Sequence, residues 1–317
     1  LALLAVCIAV IRRLAFAPSY IEARSRDAFT ILGLIALLMI AFFGLHGSEI
    51  AQGDEIAAKY MPVSNFVASN ILSGISVESL GGYINAFWWL HAAALLVFLN
   101  YLPYSKHMHI LTSIPNLFFR SMTKVNTQPR EEFKKDNTFG AGQIDQITWK
   151  GLFDSYSCTE CGRCSNMCPA TSTGKPLNPR LVIHDIKTNL LKNGPLMVAK
   201  KEPQLPLIGG DQEGSVKEEV IWECTTCSAC MEVCPVFIEH VPKIVDMRRN
   251  LVEMRAKFPE ELIAFFENIE QRSNPWGIVP SDRVKWAADI NVTPFEAGKT
   301  EYLFYVGCFG AFDARSR

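Results

Sequence analysis

Two short stretches carry the chemistry of this chain: CTECGRCSNMCP from Cys158 to Pro169 and CTTCSACMEVCP from Cys224 to Pro235. Both read C-x2-C-x2-C-x3-C-P, and every cysteine of the first returns 66 positions later in the second. Three thiolates on one tight loop take three irons of a [4Fe–4S] cube, and the fourth cysteine of such a run serves the neighbouring cube. The spacing therefore predicts crossed ligation. Cluster 1 takes Cys158, Cys161, Cys164 and Cys234, and cluster 2 takes Cys224, Cys227, Cys230 and Cys168. Pro169 and Pro235, after the fourth cysteines, restrict the backbone there and remove an amide donor.

Structural zinc is the bland alternative, since it too is held by thiolates in C-x2-C pairs. Zinc closes a tetrahedron from two separated pairs, whereas three cysteines spaced by two and a fourth followed by proline suit a cube. Disulfides fit less well still. Eight cysteines so close together in a chain of 317 residues point to metal in a reducing compartment.

A second constellation is built from histidine. His91 and His109 lie 18 residues apart, and on one continuous helix 18 steps of about 100° return to the same face about 27 Å along the axis. Two imidazoles on one stripe near opposite faces of a membrane suit two haem irons. The competing reading of His109 is a solvated interfacial residue beside Lys106. His107 falls on another face, and His46 reads as a boundary residue at the end of its span.

These groups must be positioned by two very different halves. Net charge is −1, which gives no footing for nucleic acid, yet the average hides a mostly apolar stretch over residues 1–115 and an ordinary charge density beyond it. Leu1 to Phe16, apolar but for Arg12 and Arg13, is shorter than the roughly 20 residues of a full span and reads as the tail of a transmembrane helix. A signal peptide would carry its bases before the apolar run. Residues 28–48 and the stretch from Ser79 to Ser105 are long enough to cross, with Trp88, Trp89, Tyr101 and Tyr104 placed as interfacial anchors. Arg12, Arg13, Arg24 and Arg26 flank one side, and Lys106, Arg120, Lys124, Arg130, Lys134 and Lys135 follow the last span. Between Gly47 and Gly82 the single base Lys59 faces Glu49, Asp54, Glu55 and Glu78. The positive-inside rule then puts the cysteine segment in the cytoplasm of a multi-pass inner-membrane protein. Glu78 and Lys106 read as solvated anchors.

Past the membrane, Gln128 to Gln143, with Pro129, Gly140 and Gly142, reads as a linker. A short helix is expected over 147–157, delivering Tyr156 to the first cysteine loop. Another starts at Asn178-Pro179 and stops at Asn193-Gly194, ahead of a Pro/Gly-rich excursion over 195–214. Helical spacing returns over Pro242–Lys257 and Pro259–Arg272. His184 and His240 read as partly exposed residues without a special role, and Cys7 as a small apolar filler.

The stretch HAAALLVFLNYLPYSKHMH from His91 to His109 resembles the last haem-bearing helix of the nitrate reductase gamma-subunit family. That resemblance implies b-type haem with His91 on the outer and His109 on the inner haem, their opposite ligands on an earlier helix upstream of Leu1. The cysteine segment with its flanks, CGRCSNMCPATSTGKPLNPR and later NPWG, resembles the iron–sulfur subunits of the heterodisulfide reductase family, and the strand-like EYLFYVGCFGAFD looks like the start of their cysteine-rich domain, with Cys308 its first cysteine. A further cluster in the rest of such a domain is implied by that likeness alone.

The expected fold is mainly α. Residues 1–115 form a transmembrane haem b domain, 116–146 a linker, 147–298 an α-helical ferredoxin-like domain with two [4Fe–4S] clusters, and 299–317 the start of a cysteine-rich α/β domain. With Leu rather than Met at its start, the chain reads as a fragment cut at both ends. The combination resembles membrane-bound iron–sulfur oxidoreductases that pass electrons from electron transfer flavoprotein to menaquinone. The cofactors carry that chemistry and the chain positions them. The alternatives are a heterodisulfide-reductase-type thiol/disulfide enzyme and a membrane-tethered iron–sulfur sensor.

Overall fold

The computed structural model describes residues 1–17, 25–53, 55–123, 127–128, 130–133 and 138–316. Arg24, Asp54, Lys124, Pro129, Lys134 and Lys135, used above for topology and the linker, lie outside the described residues. Among those described the architecture is helical, and the β pairing is one isolated bridge between Ile208 and Val216. The chain divides into two compact units, Leu1–Asn250 and Leu251–Arg317.

The first unit opens with α1 (Ala2–Ile11), which runs into a π-helical turn over Arg12–Phe16, and α2 (Arg26–Ala51). Two short helices follow, α3 (Glu55–Tyr60) and α4 (Pro62–Asn70), then α5 (Val77–Tyr101), whose N-cap Ser76 accepts from Ser79 N. α2 and α5 pack side by side, and Gly44 is what lets them approach: a Cβ there would sit 2.6 Å from the Phe87 ring. The segments Arg26–Ala51 and Val77–Tyr104 are long and apolar enough to cross a membrane. Only 22% and 6% of their most apolar windows are buried within the protein. A core helix of a water-soluble protein would hide that surface, at about 25 cal/mol per Å²; here Trp88, Trp89, Leu95, Leu96 and Leu99 all stand exposed.

The helix carrying His91 does not continue to His109. Pro103 ends it in a 3-10 turn over Leu102–Tyr104, Ser105 is extended, and a second 3-10 turn covers Lys106–Met108. His109 instead begins α6 (His109–Phe118). The five-turn register expected of the two histidines is therefore broken. α6 buries Thr112 and Asn116 and exposes Ile110, Leu111, Ile114, Leu117 and Phe118.

Downstream come α7 (Trp149–Ser157), α8 (Arg163–Asn166), α9 (Pro169–Ser172), α10 (Pro179–Val198), α11 (Glu218–Trp222), α12 (Ala229–Glu232) and α13 (His240–Arg249). α7 has Thr148 as its N-cap, accepting from Gly151 N, and covers the expected stretch. α10 starts where Asn178 predicted, with the Asn178 side chain accepting from the amides of Arg180 and Leu181. It does not stop at Asn193-Gly194. Asn193 is buried and occupied elsewhere: its Oδ1 accepts from Gln204 N and Leu205 N, and its Nδ2 donates to Leu205 O. The asparagine latches the returning chain, and the helix runs on through Pro195 to Val198. The end of the expected linker is anchored rather than free, since Ala141 N donates to Asp246 O of α13 at 2.9 Å. Gly140 (φ +63°) sits so close to that carbonyl that a Cβ would lie 2.1 Å from it.

α13 starts two residues before the predicted Pro242 and gives way at Arg249 to a π-helical turn over Asn250–Met254. In the second unit, α14 (Glu261–Arg272) matches the predicted helix, and α15 (Cys308–Phe312) closes the chain. Residues 301–307 have no partner strand among the described residues, so the strand expected there does not form, and Cys308 heads a helix instead. Its Sγ accepts from Arg283 Nη2 at 3.3 Å.

Candidate metal centres

The two cysteine loops use one backbone solution. Left-handed residues stand two and four places after the first cysteine, Glu160 and Gly162 in one loop and Thr226 and Ser228 in the other. Each pair curls the chain back on itself and releases it into a single helical turn, α8 or α12, which carries the buried third cysteine, Cys164 or Cys230. The fourth cysteine of the first run, Cys168, is the N-cap of α9 with Pro169 at the first helical position.

Two cavities result. One is lined by Cys158, Cys161, Cys164 and Cys234, the other by Cys168, Cys224, Cys227 and Cys230. This is the crossed partition expected from the spacing, and the two are alike in size, each a cavity of about 20 Å³. Among the described residues no three His, Cys, Asp or Glu side chains converge on a single-ion site. Thiols that surround a volume instead of meeting at a point fit a cube better than zinc. Backbone amides already aim at sulfur, Thr226 N at Cys224 Sγ (3.4 Å) and Ile238 N at Cys234 Sγ (3.3 Å). Burial pushes the thiols of Cys158 and Cys230 up to about 12 and that of Cys164 to about 11, and the neighbouring cysteines add to the rise. Four thiolates crowded in such a place need a bound cationic centre to carry their charge.

The surroundings of the two cavities differ. Glu160, inside the first loop, pairs with Lys106 at 2.7 Å and has His184 Nδ1 3.6 Å away. Burial would raise its carboxyl, but His184 and Lys106 outweigh that and hold it down to about 2. Lys106 is thus part of a bridge, not the solvated anchor expected. Its backbone N also donates to Asp27 Oδ2 (2.8 Å), and Tyr101 donates to Asp27 Oδ1 (2.5 Å), so the start of α2, the exit of α5 and the first loop are tied together. The polar face of α6 adds to this: Thr112 Oγ1 donates to Tyr156 O, Ser157 Oγ to Thr112 O, and Asn116 Nδ2 to Val236 O.

Behind the first cavity, Asp154 is fully buried and holds Lys150 (2.7 Å), Lys243 and the amide of Glu239 (3.1 Å). Burial opposes its ionisation, yet Lys243 and Lys150 hold it below the usual carboxylate range. His240 corrects another expectation. It is 1% exposed, lines the first cavity, and burial drives it down to about 4, so it is neutral. His184 is half-buried and raised, first by Glu160. Neither Asp154 nor Glu160 belongs to a motif; the only trace in sequence is Lys150 four residues before Asp154, a helical ion-pair spacing.

The second loop faces outward. Thr225, Thr226 and Cys227 are exposed, and its cavity wall is Pro169, Ala170, Leu177, Pro179, Val241 and Ile244 besides loop residues. Arg248 braces it by donating to the carbonyls of Ile221, Trp222 and Cys224.

His91 Nδ1 lies 3.2 Å from Leu38 O and His109 Nδ1 2.6 Å from Lys106 O. A carbonyl only accepts, so Nδ1 is the donor in each ring, which in a neutral imidazole leaves Nε2 as the nitrogen able to bind a metal. His46 pairs with Glu49 at the end of α2.

Residues 157–238 match the model of the 4Fe-4S dicluster domain. The chain is 32% identical over 326 residues to EtfAB:quinone oxidoreductase of Syntrophomonas wolfei, covering 93% of this chain and 46% of that protein. It is 32% identical to the probable iron-sulfur-binding oxidoreductase FadF of Bacillus subtilis, covering 96% of this chain and 49% of that one. A probable membrane-anchored ferredoxin of Chromohalobacter salexigens shares 32% identity over 57% of this chain and 29% of its own. The chain spans about half the length of the first two relatives. No solved structure matches it.

Proposed function

We propose that this chain is the electron-carrying part of a membrane-bound iron–sulfur oxidoreductase, taking electrons from a soluble donor and delivering them to quinone in the lipid. The observation that carries this reading is the pairing of two four-cysteine cavities with opposite surroundings, one open to solvent at Cys227 and the other tied to the exit of α5 by Lys106, Thr112 and Asn116. Two [4Fe–4S] clusters held there supply one-electron steps between a two-electron donor and a two-electron acceptor. The exposed second loop gives a soluble partner close approach, while the braced first loop keeps the inner centre at the membrane junction.

The relative named EtfAB:quinone oxidoreductase supports electron transfer flavoprotein as donor and the quinone pool, menaquinone in our reading, as acceptor. Arg26–Ala51 and Val77–Tyr104 are read as spans of a multi-pass membrane domain with the cysteine loops on the cytoplasmic side, following the loop charges. His91 and His109 are the residues that would hold b-type haem through Nε2, with the carbonyls of Leu38 and Lys106 fixing their rings. The test is to supply membranes containing the protein with reduced electron transfer flavoprotein or with thiols and follow reduction of its iron–sulfur and haem signals. Reduction by flavoprotein and not by thiols is expected; reduction by thiols alone would make the protein a heterodisulfide-reductase-type enzyme.

A further inference from the structure

Arg180 is 9% exposed, lines the cavity of Cys158, Cys161, Cys164 and Cys234, and has its buried Nε without a hydrogen-bond partner. It ends the stretch CGRCSNMCPATSTGKPLNPR, which by itself assigns it no role. It is the second residue of α10, held there because Asn178 Oδ1 accepts its backbone amide at 3.1 Å while also accepting from Ser165 Oγ of α8. A permanently charged guanidinium with a donor left unpaired in a buried place is costly. An anion filling the cavity removes that cost. The other cavity presents no charged side chain in its wall, and the arginine nearest its loop, Arg248, already donates to three carbonyls.

We infer that Arg180 is a positioning residue for the cluster held by Cys158, Cys161, Cys164 and Cys234, donating to its sulfur and raising its reduction potential selectively. A cluster gains one negative charge on reduction, so a fixed neighbouring cation stabilises the reduced state more than the oxidised one, and hydrogen bonds to sulfur act in the same direction. The positive end of α10 does not discriminate, since its first residue, Pro179, lines the other cavity, so the selectivity rests on the Arg180 side chain. Glu160 does not cancel it, because Lys106 pairs that carboxylate. The consequence is that an electron is held preferentially at the membrane-facing centre. This inference rests on the cluster assignment above.

The experiment compares cluster-loaded wild-type, Arg180→Gln and Arg180→Lys proteins by redox titration followed by electron paramagnetic resonance, with iron and sulfide content measured on each. Arg180→Gln should shift one of the two cluster potentials downward and leave the other in place, and Arg180→Lys, which keeps the charge but not the planar donor, should fall between. Unmoved potentials, or an equal shift of both, would overturn the inference while leaving the clusters themselves standing. Loss of the same cluster in both variants would also overturn it, by making Arg180 a folding residue. A wild-type protein without either signal would instead sink the iron–sulfur reading.

Discussion

The two cysteine loops share their spacing and their left-handed turns, but one is built into a polar scaffold and the other is left near the surface. The first is held from three sides, by Lys106 through Glu160, by Thr112 and Asn116 of α6, and by the buried Asp154 group behind Cys234. The second relies on apolar packing beneath it and on Arg248. Identical cysteine patterns therefore leave the difference between the two sites to their surroundings, which in the function proposed above would set where an electron enters and leaves.

The sharpest way to break that comparison is to remove sulfur. Cys161→Ser and Cys227→Ser should each halve the non-haem iron and the sulfide bound per chain, each abolishing a different resonance signal. Crossing adds a stricter demand: Cys234→Ser should mimic Cys161→Ser, and Cys168→Ser should mimic Cys227→Ser. If Cys234→Ser instead removes the signal lost with Cys227→Ser, the partition seen in the two cavities is wrong.

How much of this was readable beforehand follows from what kind of interaction each feature uses. The grouping of the eight cysteines around two cavities was legible because the run C-x2-C-x2-C-x3-C-P is a local, countable spacing. The start of α10 was legible for the same reason, being a local cap at Asn178, while α7 begins at Trp149 after the cap Thr148, two residues later than expected. Asn193 reads locally as a helix stop, because its partners, Gln204 and Leu205, lie across a returning segment that no local pattern reveals. His91 and His109 share a face by periodicity alone, which does not register the break that Pro103 and Ser105 introduce. Lys106, Glu160, Asp154 and Arg180 were invisible as a group, since contacts made across long separations leave no spacing to count.

The scaffold behind the first loop should dominate its stability. Asp154→Ala leaves Lys243, itself only 4% exposed at the side chain, without its counter-charge. A loss of about 3–5 kcal/mol is expected for breaking a buried pair from one side, read as a lowered unfolding midpoint, with the first cluster released before the second on warming. Equal release of both would show that the two cradles are not independently braced.

Glu160→Gln probes the tie to the membrane exit and carries a pH signature. The folded carboxyl is held down to about 2, below its unfolded value of about 4. The stabilisation it brings is therefore fully present above that unfolded value and is lost as pH falls through the folded one. The wild-type protein should exceed Glu160→Gln by about 1–3 kcal/mol at neutral pH. The gap should close between about pH 4 and pH 2, and taking the difference cancels the acid lability that both share. A gap independent of pH would mean that the carboxylate charge is not what holds the loop.

The smallest effect lies in the backbone the loops have in common. Gly162 (φ +77°) and Ser228 (φ +63°) occupy equivalent left-handed positions, four residues after the first cysteine of each run. A side chain there costs about 1–2 kcal/mol relative to glycine, so Ser228→Gly should raise the stability of the second loop by up to about 1 kcal/mol, once the greater freedom of glycine in the unfolded chain is deducted. Gly162→Ser should lower the first by a similar amount. The serine is kept at the exposed loop although glycine would relieve strain, and in a loop that has few braces a stiffer residue also limits motion of Cys227. Faster loss of the second cluster to a chelator in Ser228→Gly, despite a higher unfolding midpoint, is the outcome expected if stiffness at the solvent-facing centre is what serine provides; slower loss would leave the strained residue without that role.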